Sequence, residues 1–404
     1  MNYKKNFFYV ENISAEKLSK KFKTPLYCYS YLRLKNNVTN FKNHFKKINP
    51  LICFSVKSNS NIKILKEIKN LGLGADVVSK GELMKALKAG IKAKKIVFSG
   101  VGKTYSELEY AINKNILLIN IESKNELLVI EKIAKSKKKK IDIGIRLNPN
   151  TNPKTLKQIS TGKEDDKFGV SKNEFINLVK YSKISKFIEL KCLSVHIGSQ
   201  ILSHKPYAKM LKVIDRVINK TGYRFKFIDL GGGIGISHEK NNKNFNFKIF
   251  NNLISNFLKK HNSKIIFEPG RSIIGNAGIL ISKVIYIKKN KIKNFIILDA
   301  AMNDFMRKAL YGANHQIIPS IKNGRILHKK LEFVGPICES TDKFLTLNKF
   351  QLLKEQDLII ICDVGAYGMS LASNYNVRPL PPEILVKNSR AQIIRNRQKL
   401  SDLI

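Results

Sequence analysis

Lys57 stands directly after an apolar run, residues 51–56, and is followed by the polar residues Ser58, Asn59 and Ser60. The run predicts a β-strand that ends at the lysine. An amine at the end of a rigid strand, partly removed from water, can form a Schiff base with a carbonyl compound. A lysine that simply ends a solvated strand is the alternative interpretation.

Polar residues and glycines also follow later apolar runs. They are Asp76 and Ser79, Arg146 and Asn148, His196 in HIGSQ, the triplet Gly231, Gly232 and Gly233 in DLGGGIG, and Glu268 to Arg271 in EPGR. The glycine triplet also fits a tight turn, Arg271 a surface arginine, and His196 a structural histidine. Glu268 ends an apolar strand pattern, where a carboxylate is costly unless a protonated group pairs with it.

Together these residues form one consistent chemical set. Lys57 would hold an aldehyde, and the glycines and Arg271 would bind a phosphate. His196 would contact a flat ring, and Glu268 would keep a ring nitrogen protonated. Pyridoxal 5'-phosphate (PLP) requires such a set, so the residues predict this cofactor.

The elements that must position these residues alternate between strand-like and helix-like patterns from residue 51 to residue 270. Amphipathic stretches at 81–90, 104–115 and 123–138 indicate helices, and Ser123 with Glu126 predicts a capping box. The predicted strands are 51–56, 74–79, 95–99, 116–121, 141–147, 190–197, 225–230 and 264–268. Eight such repeats favour an α/β fold with an N-terminal (β/α)8 barrel over a doubly wound sheet, and the chemistry of such barrels lies at the carboxyl ends of the strands.

Beyond residue 271 the pattern changes to short β-rich runs, at 279–287, 295–298, 331–334 and 358–362. They predict a second, mostly β domain. We therefore expect a cofactor-binding barrel over residues 25–271 and a C-terminal β domain over 272–404, completed by residues 1–24.

Composition excludes several classes of protein. The net charge of +44 comes mostly from lysines spread over the whole chain, without the interleaved aromatic residues of a nucleic-acid stacking surface. The five cysteines and seven histidines show no metal-ligand spacing, so we expect reduced thiols and no metal site. No apolar run reaches the length of a membrane span, and we expect a cytoplasmic protein without a membrane or specific nucleic-acid partner.

The motifs also resemble a known family. SVKSN, HIGSQ, DLGGGIG, EPGR, VGPICESTD and DVGAYGMSLASNYN occur in the order and at the spacing of the fold-type III PLP-dependent decarboxylases, over about residues 24–387. This is the ornithine, diaminopimelate and arginine decarboxylase family, whose barrel is similar to that of alanine racemase. The resemblance implies a PLP-dependent carboxy-lyase that works as a homodimer with shared active sites.

The resemblance also implies a role for individual residues. Lys57, His196 and Cys338 would be catalytic, as the Schiff-base lysine, the group stacked on the cofactor ring and the proton donor. The partner subunit of a head-to-tail dimer would supply Cys338 together with Glu339. The cofactor would be bound by Lys57, Asp76, His196, Ser199, Gly233, Glu268, Pro269, Gly270, Arg271 and Tyr367. The substrate would be bound by Arg271, Arg307, Tyr311, Glu339 and Tyr367.

The substrate implied is meso-2,6-diaminopimelate, converted to L-lysine and CO2 in the last step of lysine biosynthesis. Arg307 and Glu339 together suit a substrate with a distal carboxylate and a distal amine, because a buried carboxylate needs a cation. The alternatives are an ornithine, arginine or carboxynorspermidine decarboxylase, or an inactive homologue that binds a partner. Cys192, Ser194 and Lys308 depart from the family pattern of Gly, His and Pro.

Overall fold

The computed structural model describes residues 1–153, 155–237 and 245–404. The described chain forms two compact units. One contains residues 39–236 and 245–272, and the other contains Met1–Val38, Ser237 and Ile273–Ile404.

The first unit is a closed barrel of parallel strands, which confirms the predicted fold class. In chain order its strands are Leu51–Ser55, Gly74–Val77, Ile96–Phe98, Leu118–Ile121, Ile141–Arg146, Ile188–Ser194, Phe227–Asp229 and Lys264–Phe267. Each strand pairs with the next, and the last closes the barrel against the first, with Ile266 opposite Leu51 and Phe267 opposite Ile52. The carboxyl ends of all these strands therefore face one rim, where barrel enzymes carry out their chemistry.

Helices follow the barrel strands. They are Ile62–Asn70, Lys80–Lys88, Tyr105–Asn113, Lys124–Ser136, Lys172–Ile184, Lys205–Thr221 and Phe247–Leu258, with 3₁₀ turns at Val56–Ser58, Ala93–Lys95 and Lys157–Ile159. The predicted capping box at Ser123 is half formed. The Ser123 hydroxyl accepts a hydrogen bond from Glu126 N at 3.2 Å, but the Glu126 carboxylate accepts from Glu122 N at 2.9 Å instead of from Ser123.

The first barrel strand ends two residues before Lys57, so the prediction of a strand running directly into the lysine was wrong. The strand stops at Ser55, and Val56–Ser58 form a 3₁₀ turn. The turn is stabilised by the Ser58 hydroxyl, which donates to Ser55 O at 2.7 Å. Lys57 therefore projects from a tight turn above the strand end.

The second unit is mostly β, as predicted. Its main sheet runs in the order Lys343–Leu347, Leu331–Val334, Asn294–Leu298, Gly278–Lys289, Leu26–Ser30, Glu383–Lys387 and Arg390–Arg395. Leu358–Ile361 also pairs with Gly278–Lys289, and Ile317–Pro319 pairs with Leu358–Ile361. A buried cluster that includes Val10, Leu26, Ile279 and Ile384 forms the core on this sheet.

Smaller elements complete the second unit. They are a three-stranded sheet of Asn2–Lys4, Phe7–Val10 and Ile13–Ser14, a strand pair of Ile326–Leu327 with Phe350–Gln351, the helices Ala15–Phe22 and Arg307–Tyr311, and the 3₁₀ turns Gly275–Ala277, Met369–Leu371, Tyr375–Val377 and Leu400–Asp402. Two further helices, Tyr31–His44 and Arg271–Ile274, include the positions at which the division into units falls.

Candidate active site

Lys57 lies beside Asp76 at the rim of the barrel. Its Nζ atom is 3.7 Å from Asp76 Oδ2, and 38% of the lysine side chain is exposed whereas Asp76 is buried. The Ser55 hydroxyl donates to the same Asp76 oxygen at 2.8 Å. The first two barrel strands thus bring a reachable amine and a fixed carboxylate together.

His196 follows the strand Ile188–Ser194 and is held as a neutral imidazole. Its Nδ1 atom accepts a hydrogen bond from Gly232 N at 3.1 Å, so this nitrogen carries no proton. Burial lowers the pKa of His196 well below its usual value, and the nearby cations Lys57 and Arg146 lower this pKa further. The ring can therefore contact an aromatic ligand without adding a charge.

The glycines at the rim lie where the neighbouring chain leaves no room for a Cβ atom. A Cβ atom on Gly232 would lie 2.1 Å from Glu268 O, and one on Gly233, whose φ is +94°, would lie 2.3 Å from Gly198 O. A Cβ atom on Gly270 would lie 2.9 Å from Ser58 Cβ. Arg271, the residue after Gly270, is buried, and its Nη2 atom donates to the Ser199 hydroxyl at 3.2 Å.

Glu268 and Pro269 follow the last barrel strand. Pro269 O accepts a hydrogen bond from Ser55 N at 3.1 Å, and Glu268 N donates to Gly231 O at 2.8 Å, which fixes this segment to the strand ends on both sides. The Glu268 side chain is buried. Burial and the Asp229 and Asp76 carboxylates raise the pKa of Glu268 well above its usual value.

The structure brings together nine of the predicted residues at the rim of the barrel unit: Lys57, Asp76, His196, Ser199, Gly233, Glu268, Pro269, Gly270 and Arg271. The other five, Arg307, Tyr311, Cys338, Glu339 and Tyr367, lie in the second unit.

Arg307 begins the helix Arg307–Tyr311 and is 2% exposed. Its Nη1 atom lies 3.0 Å from His315 Nε2, and His315 Nδ1 lies 2.9 Å from Cys362 O. Because a carbonyl oxygen can only accept, Nδ1 carries the imidazole proton and Nε2 accepts from the arginine. His315 thereby orients the Arg307 guanidinium, while Tyr311 ends the same helix.

Cys338 and Glu339 occupy the loop after the strand Leu331–Val334. Cys338 is an exposed free thiol. The Glu339 carboxylate accepts hydrogen bonds from the Thr341 hydroxyl at 3.1 Å and from the Tyr375 hydroxyl. Tyr367 has a positive φ of 56°, which is unusual for a residue with a side chain and marks a constrained backbone.

Sequence reasoning missed several residues that contact this set or act on it electrostatically. Asp229 and Glu268 shift the pKa of each other. Burial and Asp76 raise the pKa of Glu82 to about 7. His315 and Tyr375 contact Arg307 and Glu339, respectively. Only Asp229 carried a usable signal, since it ends a predicted strand immediately before the glycine triplet.

Comparisons with known proteins support the family predicted from the motifs. The family model for the pyridoxal-binding domain of pyridoxal-dependent decarboxylases matches residues 32–275. The chain is 43% identical over 391 residues to diaminopimelate decarboxylase of Helicobacter pylori strain J99, covering 96% of each chain. The chain belongs to the pyridoxal-dependent decarboxylases. Its cofactor is therefore pyridoxal phosphate, and it is a decarboxylase.

Other relatives agree over the full length. Diaminopimelate decarboxylase of Aquifex aeolicus is 39% identical over 410 residues, covering 100% of this chain and 96% of the relative. The crystal structure of the Helicobacter pylori enzyme complexed with L-lysine superposes with a TM-score of 0.92 at 43% identity, covering 96% of this chain and 98% of that chain. The crystal structure of diaminopimelate decarboxylase from M. jannaschi superposes with a TM-score of 0.94 at 34% identity, covering 100% of this chain and 96% of that chain.

The residues present fit pyridoxal phosphate. The close packing of backbone that Gly232 and Gly233 permit beside Glu268 and Gly198 lets these loops meet at the rim, and the buried guanidinium of Arg271 beside the Ser199 hydroxyl supplies donors that suit a phosphate. A protonated ring nitrogen would relieve the unfavourable burial of Glu268 beside Asp229 and Asp76. Lys57 supplies the amine.

Across residues 1–153, 155–237 and 245–404, no helix is long and apolar enough to cross a membrane. In the same described parts of the chain, no three or more His, Cys, Asp or Glu side chains are grouped so that they could hold a metal ion.

Proposed function

We propose that this protein removes the carboxyl group at the D-centre of meso-2,6-diaminopimelate and releases CO2 and L-lysine, the last step of lysine biosynthesis. One observation carries the proposal. The amine of Lys57, the neutral ring of His196 and the buried acid Glu268 converge on one barrel rim in a chain that belongs to the pyridoxal-dependent decarboxylases. The substrate rests on the relatives named diaminopimelate decarboxylase.

The cofactor, when bound, supplies an electron sink for the pair of electrons left when CO2 departs. Lys57 would hold the cofactor through Nζ at its aldehyde carbon. His196 would lie against the ring face, and its neutral state avoids a second positive charge beside the ring. Glu268 would hold a proton at the ring nitrogen, so that the ring can accept the electron pair.

The phosphate would be held by Ser199, Gly233, Gly270, Arg271 and Tyr367. The Arg271 to Ser199 hydrogen bond supports this assignment because it holds two groups that can donate to a phosphate side by side. Asp76 would hold Lys57 in reach through the 3.7 Å contact between their charged atoms, and Pro269 would fix the backbone between Glu268 and Gly270.

The substrate would be held by Arg271, Arg307, Tyr311, Glu339 and Tyr367. Arg307 would pair with the distal carboxylate, and Glu339 would accept the distal ammonium group. We propose that Cys338 donates the proton that replaces CO2, and that it does so from the partner subunit of a homodimer. The exposure of the Cys338 thiol supports this part of the proposal, since a thiol that serves another subunit must be reachable.

We also propose a cytoplasmic location. The five cysteines are all free, and Cys28, Cys53 and Cys192 are buried without disulfides, as is usual in a reducing compartment. The domain limits of 25–271 and 272–404 with 1–24 stay a prediction.

The test is a substrate comparison with the PLP-loaded protein. We expect CO2 release and L-lysine formation from meso-diaminopimelate, and much slower CO2 release from L-ornithine and L-arginine. A preference for ornithine or arginine would contradict the substrate, and no CO2 from any of the three with PLP bound would favour an inactive homologue.

A further inference from the structure

The barrel interior contains a pair of buried carboxyl groups, Asp229 and Glu268, each of which shifts the pKa of the other. Asn120 and Ser99 link them. Asn120 Nδ2 donates to Asp229 Oδ2 at 3.1 Å and to the Ser99 hydroxyl at 3.2 Å, and the Ser99 hydroxyl donates to Glu268 Oε1 at 3.5 Å. Asp229 ends one barrel strand and is 0% exposed, and Glu268 follows the neighbouring strand and is 7% exposed. Two carboxylates that act on each other away from water repel strongly, so the pair retains one proton between them. The geometry decides which oxygen atoms carry that proton.

Asp229 is surrounded by donors. Gly231 N donates to its Oδ1 atom at 2.9 Å, and Asn120 Nδ2 and the Ser194 hydroxyl donate to its Oδ2 atom at 3.1 and 3.2 Å. Hydrogen bonds of this kind favour the ionised form of a carboxyl group. Asp229 is therefore the charged member of the pair.

Glu268 has weaker support for a negative charge. The Ser99 hydroxyl is 3.5 Å from Glu268 Oε1, at the limit of a hydrogen bond. Burial, Asp229 and Asp76 raise the pKa of Glu268 well above its usual value, whereas the pKa of Asp229 rises only to about 6, mainly through burial. Both the hydrogen-bond donors around Asp229 and the pKa shifts place the proton on Glu268.

The neighbouring strand Ile141–Arg146 leaves room for the Asn120 amide that donates to Asp229. A Cβ atom on Gly144, in the strand Ile141–Arg146, would lie 2.0 Å from Asn120 Oδ1 and would displace the amide that donates to Asp229. At the rim, Asp76 raises the pKa of both Asp229 and Glu268, and Lys57 lowers the pKa of Glu268.

Two cysteine thiols, Cys53 and Cys192, are affected by the same carboxyl groups. Burial raises the pKa of both thiols well above the usual value, and Glu268 and Asp229 raise it further. Both thiols therefore remain neutral and add no charge to the interior of the barrel.

We propose that Asp229, held in its charged form by Asn120 and Ser194, is a positioning residue that keeps a proton on Glu268 until the ring nitrogen of the cofactor arrives. Glu268 then becomes a carboxylate paired with the protonated nitrogen. Its proton passes to the nitrogen, or to solvent when the nitrogen arrives already protonated, so charge and protons balance. The inference rests on the proposed function in taking pyridoxal phosphate as the ligand.

Infrared difference spectroscopy of the full chain freed of cofactor tests the first half. We expect the C=O band of a protonated carboxylic acid at neutral pH in the wild type and its loss in Glu268→Gln. In Asp229→Asn the pH midpoint at which the Glu268 acid band disappears should fall by about one pH unit or more, because the negative charge of Asp229 is removed. The matched control Glu189→Gln, at a half-exposed carboxyl group paired with Lys140 in the strand Ile188–Ser194, should leave the band unchanged. A wild type without the band, or an unshifted titration in Asp229→Asn, would overturn the inference.

Variants of Ser194 provide a separate test, because a purely structural role would not change the pH titration of the carboxyl pair. Ser194→Ala removes one donor to Asp229, so the lower titration step of the pair should shift upward by several tenths of a pH unit. Ser194→Thr keeps the hydroxyl and should restore the wild-type step. Equal titrations in all three proteins would contradict the role of Ser194.

The second half is tested by adding pyridoxal phosphate and following its binding by absorbance. The Glu268 acid band should disappear as the cofactor binds. A band that persists with the cofactor bound would overturn the proton transfer and leave the proposed function standing. A protein that shows the band but binds no cofactor would contradict both the proposed function and this half of the inference.

Discussion

Replacing Arg307 tests the substrate most directly. Arg307 is 2% exposed, and its guanidinium is oriented by His315 at 3.0 Å, so it is held in one geometry before substrate binds. Removing one partner of a buried charge pair costs about 3 to 5 kcal/mol. If Arg307 pairs with the distal carboxylate, Arg307→Met should lower kcat/KM for meso-diaminopimelate by about a hundredfold or more, since each 1.4 kcal/mol is about tenfold.

The assay compares CO2 release by wild type, Arg307→Met and Arg307→Lys. Methionine fills most of the buried volume without a charge, and lysine keeps the charge but cannot present the planar fork, so its loss should be intermediate. Pyridoxal phosphate absorbance and the melting temperature serve as controls for folding. A folded, cofactor-loaded Arg307→Met protein with unchanged kcat/KM for meso-diaminopimelate would refute the assignment.

Three further predictions concern the proposed chemistry and the titration of the site. Lys57→Ala should eliminate borohydride-trappable cofactor and nearly all turnover, and trapped cofactor in the variant would assign the Schiff base to another lysine. Cys338→Ala should retain cofactor but lose roughly 100- to 10,000-fold in rate, and mixing it with Lys57→Ala should restore some activity through heterodimers; no restoration after proven subunit exchange would mean that each site is built from one chain. The pKa of His196 is lowered in the folded state. As pH falls, the imidazole of the unfolded chain therefore binds a proton before that of the folded chain does. The stability supplied by the neutral ring is lost as pH falls below about 6.5. Denaturant unfolding at pH 7.5 and 5.5 should therefore show a smaller loss of stability for His196→Asn than for wild type, by about 1 kcal/mol, and an equal loss would contradict the shift.

A last pair of variants addresses the loop of the second unit. Tyr375→Phe removes the hydroxyl that donates to Glu339, so KM for meso-diaminopimelate should rise several-fold with little change in kcat if Glu339 accepts the distal ammonium. Glu339→Gln should raise KM further, and a normal KM in both variants would exclude this role.

The sequence by itself determined the barrel and most of the residues at its rim. Alternating apolar patterns are local, and a closed parallel barrel brings every strand end to one edge, so Lys57, Asp76, His196 and Glu268 could be grouped from their positions after the strands. Local detail was less certain. The same apolar run that predicted a strand through residue 56 also fits a strand ending at Ser55 with a 3₁₀ turn after it.

Only the tertiary structure decided which side chains touch across the barrel and within the second unit. Asn120 and Asp229 are 109 residues apart, and Ser99 and Glu268 are 169 apart, yet each pair is within hydrogen-bonding distance. No periodicity encodes such pairs, because they depend on strand register and barrel closure. The protonation of Glu268 therefore follows from tertiary contacts, since a carboxyl group acquires a shifted pKa only from the charges, donors and burial that the folded chain places around it.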